Sequence, residues 1–204
     1  MIQRQLAVRV EARAMALLGA LLLSTGFTIT GADASSAVGP TTIATTGGTL
    51  TDLGTLGGSG KSHAYGMNAV GQVVGDADTA SGASHAFLYS GGAMTDITPS
   101  AGISAATAIN DGGQVVGRTA TAGGPWHAFL YSAGTLSTLG TLGGSSSQAT
   151  GINRAGEIVG VSETATGIGH AFLYSAGAMR DLGTLGGPTS EVQTGFMVLA
   201  SITW

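Results

Sequence analysis

The sequence predicts an all-β fold, a repeat array of four-stranded antiparallel blades that is similar to a β-propeller and either partial or four-bladed. The hexapeptide His-Ala-Phe-Leu-Tyr-Ser occurs three times, at 85–90, 127–132 and 170–175, so its histidines lie 42 and 43 residues apart. Short apolar runs separated by Gly, Asn and Pro predict strands and hairpins, and no segment of the repeat is long enough for a helix. A four-stranded unit of about 43 residues has the size of a propeller blade.

Three other landmarks recur in the same order as the hexapeptide. An Asn-x-x-Gly segment occurs at 68–71, 110–113 and 153–156. A short apolar run that ends in glycine follows it, at 72–75, 114–117 and 157–160. Gly-Thr-Leu-Gly-Gly stands at 54–58, 140–144 and 183–187, and its expected second copy is degraded to Thr98-Pro99-Ser100-Ala101-Gly102. These landmarks define a leading half-unit from 43 to 58 and three complete units at 59–102, 103–144 and 145–187.

The second unit shows how each strand is predicted. Its four strands are expected at about 106–110, 114–119, 127–132 and 135–139. The segment from Asn110 to Gly113 suits a hairpin between the first two strands, because asparagine can start an Asx-turn and Gly113 can take a positive φ. The third strand carries apolar side chains on both faces, which predicts a sheet packed between two neighbours. One face holds His127, Phe129 and Tyr131, and the other holds Ala128, Leu130 and Ser132.

The two ends of the repeat region suggest a fourth blade. The leading half-unit supplies third and fourth strands, and residues after Gly187 would supply first and second strands, which would remove exposed sheet edges. The segment 188–204 weakens this prediction, because Met197 stands where the repeats have asparagine. Two alternatives remain: an atypical closing strand, or a truncated or degraded end, and the second is favoured.

Residues 1–34 are interpreted as a secretory signal peptide. Arg4, Arg9 and Arg13 precede an apolar stretch at 14–27, and Ala32-Asp33-Ala34 has the small-x-small cleavage pattern. The alternative is an uncleaved membrane anchor, for which the apolar run is short. A flexible leader at 35–42 and the β-repeat domain at 43–187 would follow. We therefore expect a secreted or cell-surface protein, with the periplasm as an alternative, and no membrane association after cleavage.

Composition excludes several classes of function. Charged residues make up 9% of the chain, against roughly 25% in typical soluble domains. The net charge is −4, and the only basic residues after position 13 are Lys61, Arg118, Arg154 and Arg180. This distribution lacks the clustered positive charge that nucleic acid requires. The absence of cysteine excludes disulfides, thiolate zinc sites and cysteine nucleophiles.

The recurring motifs support a family resemblance. On His-Ala-Phe-Leu-Tyr, Gly-Gln-Val-Val-Gly and Gly-Thr-Leu-Gly-Gly, the chain resembles the bacterial HAF-repeat proteins, which are described as probable extracellular repeat proteins. The match covers roughly residues 43–195. The resemblance implies secretion or surface display and a propeller-like β fold, and it brings no established catalytic residues.

The repeated histidines are interpreted as structural. His85, His127 and His170 occupy the same place in each unit, and a residue that every repeat needs serves packing or hydrogen bonding to the neighbouring blade. The alternative, a metal site, is disfavoured because no carboxylate repeats beside these histidines in the sequence. We expect no cofactor and no bound metal.

Two short segments resemble ligand-binding loops incompletely. Gly58-Ser59-Gly60-Lys61-Ser62 is similar to the end of a phosphate loop, but Thr55 stands where that pattern needs glycine, so a turn is predicted. Asp76-Ala77-Asp78 begins like a calcium loop but lacks its glycine, at Ser81, and its glutamate, at Phe87. A solvated loop is predicted there, with a casual surface calcium site as the alternative.

The residues that differ between repeats are the better candidates for function. The loops after the second and fourth strands of each unit are expected to lie on one face, where an aromatic side chain beside small polar groups suits sugar or peptide binding. The residues expected on that face are Trp126, Lys61, His63, Ser145 and Gln148. The alternative is that Trp126 folds over the edge of its own blade.

The favoured hypothesis is a secreted or surface-exposed, non-catalytic binding or structural module with a glycan or protein ligand. No catalytic constellation can be defended from the sequence. One alternative is an extracellular polysaccharide-active enzyme whose site includes His63, Asp76 or Asp78. Another is a truncated remnant of a larger repeat protein.

Overall fold

The computed structural model describes residues 41–45 and 48–190, with side chains from 49 onward. The segment 1–34 that was interpreted as a signal peptide, and residues 191–204, lie outside this part. The described chain is all-β, without a helix, and its strands form three four-stranded antiparallel sheets and one two-stranded sheet. The predicted fold class is therefore confirmed. No helix of the described residues has the length and apolar character needed to cross a membrane.

Each four-stranded sheet is one blade, and its strands pair in chain order. A two-stranded sheet precedes the blades: β1 Thr41–Thr45 and β2 Gly48–Asp52. The first blade contains β3 Gly57–Met67, β4 Val73–Thr79, β5 Ser84–Ser90 and β6 Ala93–Asp96. The second contains β7 Ile103–Ile109, β8 Val115–Ala120, β9 His127–Ser132 and β10 Thr135–Thr138. The third contains β11 Gly143–Ile152, β12 Ile158–Thr164, β13 Gly169–Ser175 and β14 Ala178–Asp181.

The first strand of every blade starts earlier than the sequence pattern predicts. The third strand was predicted at 127–132, where β9 lies, but β7 begins at Ile103 rather than near 106. In the other blades the first strand begins at Gly57 or Gly143, within Gly-Thr-Leu-Gly-Gly. A bulge allows this extension, because Gly57 pairs with Thr79 and the register then shifts before the next paired residue. Gly-Thr-Leu-Gly-Gly therefore opens a blade, and the prediction that it ends a unit is wrong.

At the start of the repeat region, β1 begins two residues before the predicted boundary at 43. β1 and β2 pair with each other as a separate sheet. The strands predicted to complete a fourth blade with them would come from the chain beyond 190, outside the described residues.

The repeated asparagine performs two tasks at once. Asn110 Oδ1 accepts hydrogen bonds from the backbone N–H groups of Gly112 and Gln114, both at 3.0 Å, which closes the predicted turn. Gly113 has φ 76°, in the left-handed region, as predicted. The Nδ2 group of Asn110 donates to the backbone carbonyl of Asn153 in the next blade, at 3.0 Å. Asn68 makes the same bond to Asn110, at 3.1 Å, so the asparagines connect successive blades.

The middle blade is packed on both faces, as its third strand predicted. Phe129 and Tyr131 contribute to the apolar cluster shared with the first blade. Ala128 and Leu130 contribute to the cluster shared with the third blade. Alternate residues of β9 therefore fill two different interfaces, and the core of this protein lies between the blades.

The repeated phenylalanine explains the glycine that ends each apolar run. A Cβ atom added to Gly117 would lie 2.1 Å from the Ala105 carbonyl oxygen and 2.9 Å from Cε1 of Phe129. Gly75 and Gly160 have equally close neighbours in their own blades. The phenylalanine ring and the first strand thus occupy the space that a side chain would need, and the phenylalanines are almost completely buried at 0–1% exposure.

A serine in the first strand of the second and third blades accepts a hydrogen bond from the blade before it. The backbone N–H of Ala86 donates to Ser104 Oγ at 2.8 Å, and that of Ala128 donates to Ser147 Oγ at 2.9 Å. The same bond joins the N–H of Ala171 to Ser190 Oγ, also at 2.9 Å. Ser190 lies past the last strand of the third blade, so the inter-blade contact continues beyond that blade.

The outer face of the third blade keeps the apolar pattern of the interfaces but is open within the described residues. Leu182 is 52% exposed, whereas the corresponding Ile97 and Leu139 are 3% and 9% exposed. Asn153 is likewise exposed, while Asn110 is buried. This face has the side chains that accept a following blade.

We predict that Gly117→Ala destabilises the fold by about 1–3 kcal/mol, because the new methyl group overpacks the contact between β7, β8 and Phe129. The midpoint of urea unfolding should fall. The matched control is Gly169→Ala, since a Cβ there meets only Val161 Cγ1 at 3.4 Å. An unchanged midpoint for Gly117→Ala would contradict the proposed role of this glycine.

Candidate ligand-binding site

The first strands of the three blades converge on one cavity. β7 lies between β3 and β11, and side chains from all three strands line the cavity. Its volume is about 530 Å³, within the range of roughly 300–1,000 Å³ that is typical of small-molecule sites. The blades therefore create a recess that no single sheet contains.

The structure brings together four of the residues selected from the sequence. Lys61, His63, Trp126 and Gln148 all line this cavity. They were expected on loops, but Lys61 and His63 lie in β3 and Gln148 lies in β11, because the first strands are longer than predicted.

Ser145, the fifth residue expected on that face, is engaged elsewhere. Its hydroxyl donates to Glu163 Oε2 at 2.5 Å, and its backbone N–H donates to the same oxygen at 3.1 Å. The Ser145 hydroxyl is the first of several hydrogen bonds that lower the pKa of Glu163. This pair stabilises the bulged start of β11 and does not line the cavity.

The cavity collects positions at which the three repeats differ. The cross-strand pair at one such position is His63 with Asp76 in the first blade. The same register position holds Ala105 with Arg118 in the second blade, and Gln148 with Val161 in the third. The residue before the hexapeptide varies in the same way: Ser84, Trp126 and Gly169. These two positions diverge while the packing positions repeat, which is expected when the cavity serves a ligand.

One side of the cavity is basic and aromatic. The Arg118 guanidinium carbon lies 4.5 Å from the centre of the Trp126 ring, which is a cation–π contact within the second blade. Arg118 Nη1 also donates to Gln148 Oε1 of the third blade at 2.9 Å. The backbone carbonyl of Trp126 accepts a hydrogen bond from the N–H of Ser147 at 2.8 Å. Trp126 thus contacts Arg118 of its own blade and also lines the cavity.

The other side of the cavity contains a histidine–aspartate pair. His63 Nδ1 lies 3.3 Å from Asp76 Oδ2, and the Ser84 hydroxyl donates to the same oxygen at 2.8 Å. The side chain of Asp76 is 11% exposed and that of His63 is 26% exposed. The Tyr65 ring stacks on His63, with the ring centres 6.0 Å apart.

Two loop interpretations from the sequence are wrong. Residues 76–78 lie within β4, because their backbones pair on both sides with β3 and β5, so this segment is not a solvated loop. Asp78 lies outside the main cavity, and its carboxylate accepts a hydrogen bond from the backbone N–H of Lys61 at 3.0 Å. Residues 58–62 belong to β3 and do not form a turn.

Two of the three repeated histidines have a carboxylate beside them, at equivalent positions of the first and third blades. His85 Nδ1 lies 2.7 Å from Asp96 Oδ2, and His170 Nδ1 lies 2.9 Å from Asp181 Oδ2. The sequence argument missed these pairs because each carboxylate lies 11 residues away, across the hairpin between the third and fourth strands. His127 differs from the other two because Thr138 stands at the carboxylate position. The bonds lie within a blade and not between blades, contrary to one form of the prediction.

No group of three metal-ligating His, Asp or Glu side chains occurs among residues 48–190. The pKa of Asp181 lies below its ordinary value of 3.8, first because of the Gly183 backbone N–H and second because of His170. The repeated histidines thus pair with single carboxylates, in an arrangement that stabilises the outer hairpin of the first and third blades.

Comparison with known proteins supports the fold. The chain is similar to a solved structure described as the β-propeller domain of the Trilobed protease from Pyrococcus furiosus, which has an open velcro topology. The TM-score is 0.52 at 14% sequence identity, and the match covers 77% of this chain and 50% of that chain. The chain therefore spans about half the length of this structural relative. No protein-family model matches the sequence, and neither does any curated protein.

We predict that Asp181→Asn lowers the melting temperature at neutral pH. Because the folded-state pKa of Asp181 is depressed, its stabilising contribution is complete above pH 3.8 and is lost as the pH falls through the lowered pKa. The difference between the variant and the parent should therefore shrink as the pH falls below 3.8. Thr138→Asn, at the equivalent position without a carboxylate, should show a difference that does not change over this range. A constant difference for Asp181→Asn would contradict the assignment.

Proposed function

We propose that this protein is a secreted or surface-exposed binding module that holds a saccharide in the cavity between its blades. The observation that carries the proposal is the convergence of repeat-breaking polar and aromatic side chains on one recess, while the packing positions of the same strands stay constant. A residue that only stabilises a blade would be expected in every blade. The cavity residues His63, Arg118 and Trp126 have no counterpart of the same type in the other blades.

The side chains of the cavity suit a sugar ring. A pyranose presents C–H groups on its faces and hydroxyls at its edge, so it binds next to aromatic surfaces and planar polar groups. Trp126 and Tyr65 provide aromatic rings, and Tyr65 is 55% exposed. Gln148 and Asp76 offer planar groups with several hydrogen-bonding positions. This combination of a few polar groups on an apolar surface is typical of small-ligand sites.

The proposed location outside the cytoplasm rests on the sequence. Three arginines, an apolar stretch and a small-x-small pattern at 1–34 favour export. The resemblance to HAF-repeat proteins favours the same location. A low content of charged residues, 9%, leaves a surface rich in Ser, Thr and Gly, which is compatible with a role in contact with polymers.

We predict that Trp126→Ala abolishes saccharide binding without unfolding the protein, because the ring forms one wall of the cavity and supports Arg118. The test is a glycan array with the full chain, followed by calorimetry with the strongest ligand. Leu136→Ala is the matched control, since Leu136 is a half-exposed apolar residue of the same blade in β10. Binding that survives Trp126→Ala, or an array without any bound glycan, would contradict the proposal.

A second candidate function is polysaccharide cleavage. It is favoured by the contact between His63 Nδ1 and Asp76, because a carboxylate on one ring nitrogen orients the imidazole. The other ring nitrogen, Nε2, would then exchange a proton with the substrate. The His–Asp pairs of the outer hairpins do not line the cavity, whereas this pair does.

For this second function we predict that His63→Gln abolishes turnover and leaves saccharide affinity within about threefold, since glutamine keeps the hydrogen-bonding capacity but cannot carry a proton at neutral pH. The measurement is the release of reducing ends from polysaccharides that the protein binds. Asp78→Asn, a change outside the cavity, is the control. An absence of turnover on every bound polysaccharide would exclude the enzyme.

A further inference from the structure

We infer that the ligand of this cavity is an acidic saccharide whose carboxylate is bound by Arg118, with Lys61 adding positive charge. This inference rests on the proposed saccharide-binding function and specifies the class of sugar. It depends on where the chain places its few cations and on how Arg118 is held.

Positive charge is scarce in this chain and is concentrated at the cavity. Of the seven Lys and Arg residues, four follow position 13: Lys61, Arg118, Arg154 and Arg180. Two of these four, Lys61 and Arg118, line the cavity. The chain as a whole has a net charge of −4, so these two cations are opposite in sign to the overall charge. A pair of cations at a single recess in an acidic protein favours an anionic ligand.

Neither cation is neutralised by a carboxylate of the described chain. Across residues 48–190, every ion pair joins a histidine to an aspartate, so Lys61 and Arg118 form none. Arg118 is half-buried, so its guanidinium loses part of its hydration. An anion bound in the cavity would compensate for this loss. The ligand is the group that would supply this anion.

The orientation of Arg118 leaves donors for a carboxylate. The guanidinium has five N–H donors in one plane, and its bond to Gln148 uses one donor of Nη1. The guanidinium carbon lies over the Trp126 ring, 4.5 Å from its centre. An arginine fixed in this way can bind a carboxylate through two parallel hydrogen bonds, which a flexible lysine cannot do.

Asp76 lines the cavity but forms no ion pair with Arg118 or Lys61. Its carboxylate accepts the Ser84 hydroxyl and lies against His63, and its side chain is 11% exposed. It belongs to the first blade, whereas Arg118 belongs to the second. The cavity therefore presents Arg118 of the second blade to a carboxylate, and the hydrogen-bonding groups of the first blade, where Lys61 also lies, to hydroxyls. A uronic acid carries both groups on one ring.

The cavity fits a sugar acid better than a peptide carboxylate. Extended peptides bind mostly by adding a strand to an open sheet edge. The first strands that line the cavity are the edge strands of their sheets, but β7 has β3 on one side and β11 on the other, so a peptide strand added to β7 would have to fit between these neighbours. A compact ring with hydroxyls and one carboxylate does not need such an edge.

The experiment measures the affinity of the full chain for short oligomers of galacturonic, glucuronic and mannuronic acid, and for the methyl ester of each. The ester keeps the ring and the hydroxyls and removes only the negative charge. At least one acid should bind, its ester should bind roughly tenfold to a hundredfold more weakly, and Arg118→Gln should weaken acid binding to a similar extent. Added NaCl should weaken binding of the acid and leave that of the ester unchanged.

The matched control is Arg180→Gln, which removes an exposed arginine of β14 outside the cavity and should leave the affinity unchanged. Equal melting temperatures would show that both variants are folded. Binding to neutral sugars that is sensitive to Trp126→Ala but not to Arg118→Gln would overturn the inference and leave the proposed function intact. A lack of binding to any saccharide would overturn both. Arg118-dependent binding only to peptides with a free C-terminal carboxylate would overturn the choice of a sugar acid.

Discussion

The packing of a phenylalanine ring against a bare glycine is the constraint on which the rest of the structure depends. At Gly117 the ring of Phe129 and the backbone of β7 approach so closely that even a methyl group has no room. This contact joins three strands of one blade and holds the first strand against the second and third. Because the same contact recurs at Gly75 and Gly160, the first strand is held in the same way in all three blades. The cavity lies where these three first strands meet.

Much of this architecture could be predicted from the sequence, because every blade uses the same residue types for its packing and its turns. Phe129 and Gly117 recur with a constant period, and so does Asn110, whose side chain closes a turn and reaches the next blade. The alternation along β9 correctly predicted two packed faces. The start of the first strand could not be predicted from the sequence, because Gly57 and Gly143 extend it through a bulge. Glycine has no side chain and therefore adds nothing to the alternation of apolar and polar residues that marks a strand.

The candidate site was only partly predictable. Trp126 and His63 could be selected because they break the repeat, but the role of Arg118 could not, since its partners Trp126 and Gln148 are fixed by the stacking of blades. The same limit applies to Asp76, which the sequence places in a solvated loop and which instead lies beside His63 within a sheet. Period and composition identify which positions differ between repeats. Only the three-dimensional arrangement shows that the differing positions meet.

The contact between Ala171 and Ser190 has a consequence for how such arrays change over evolutionary time. In each blade one backbone N–H group donates a hydrogen bond to a serine hydroxyl of the segment that follows the blade. The serines are Ser104, Ser147 and Ser190. Since neither partner depends on the position of the blade in the series, a tandem duplication of one such segment would insert a compatible neighbour without altering any existing surface. Lineages built on this joint would gain or lose blades by recombination while the variable cavity residues drift independently. The number of blades and the identity of the cavity residues would then change independently.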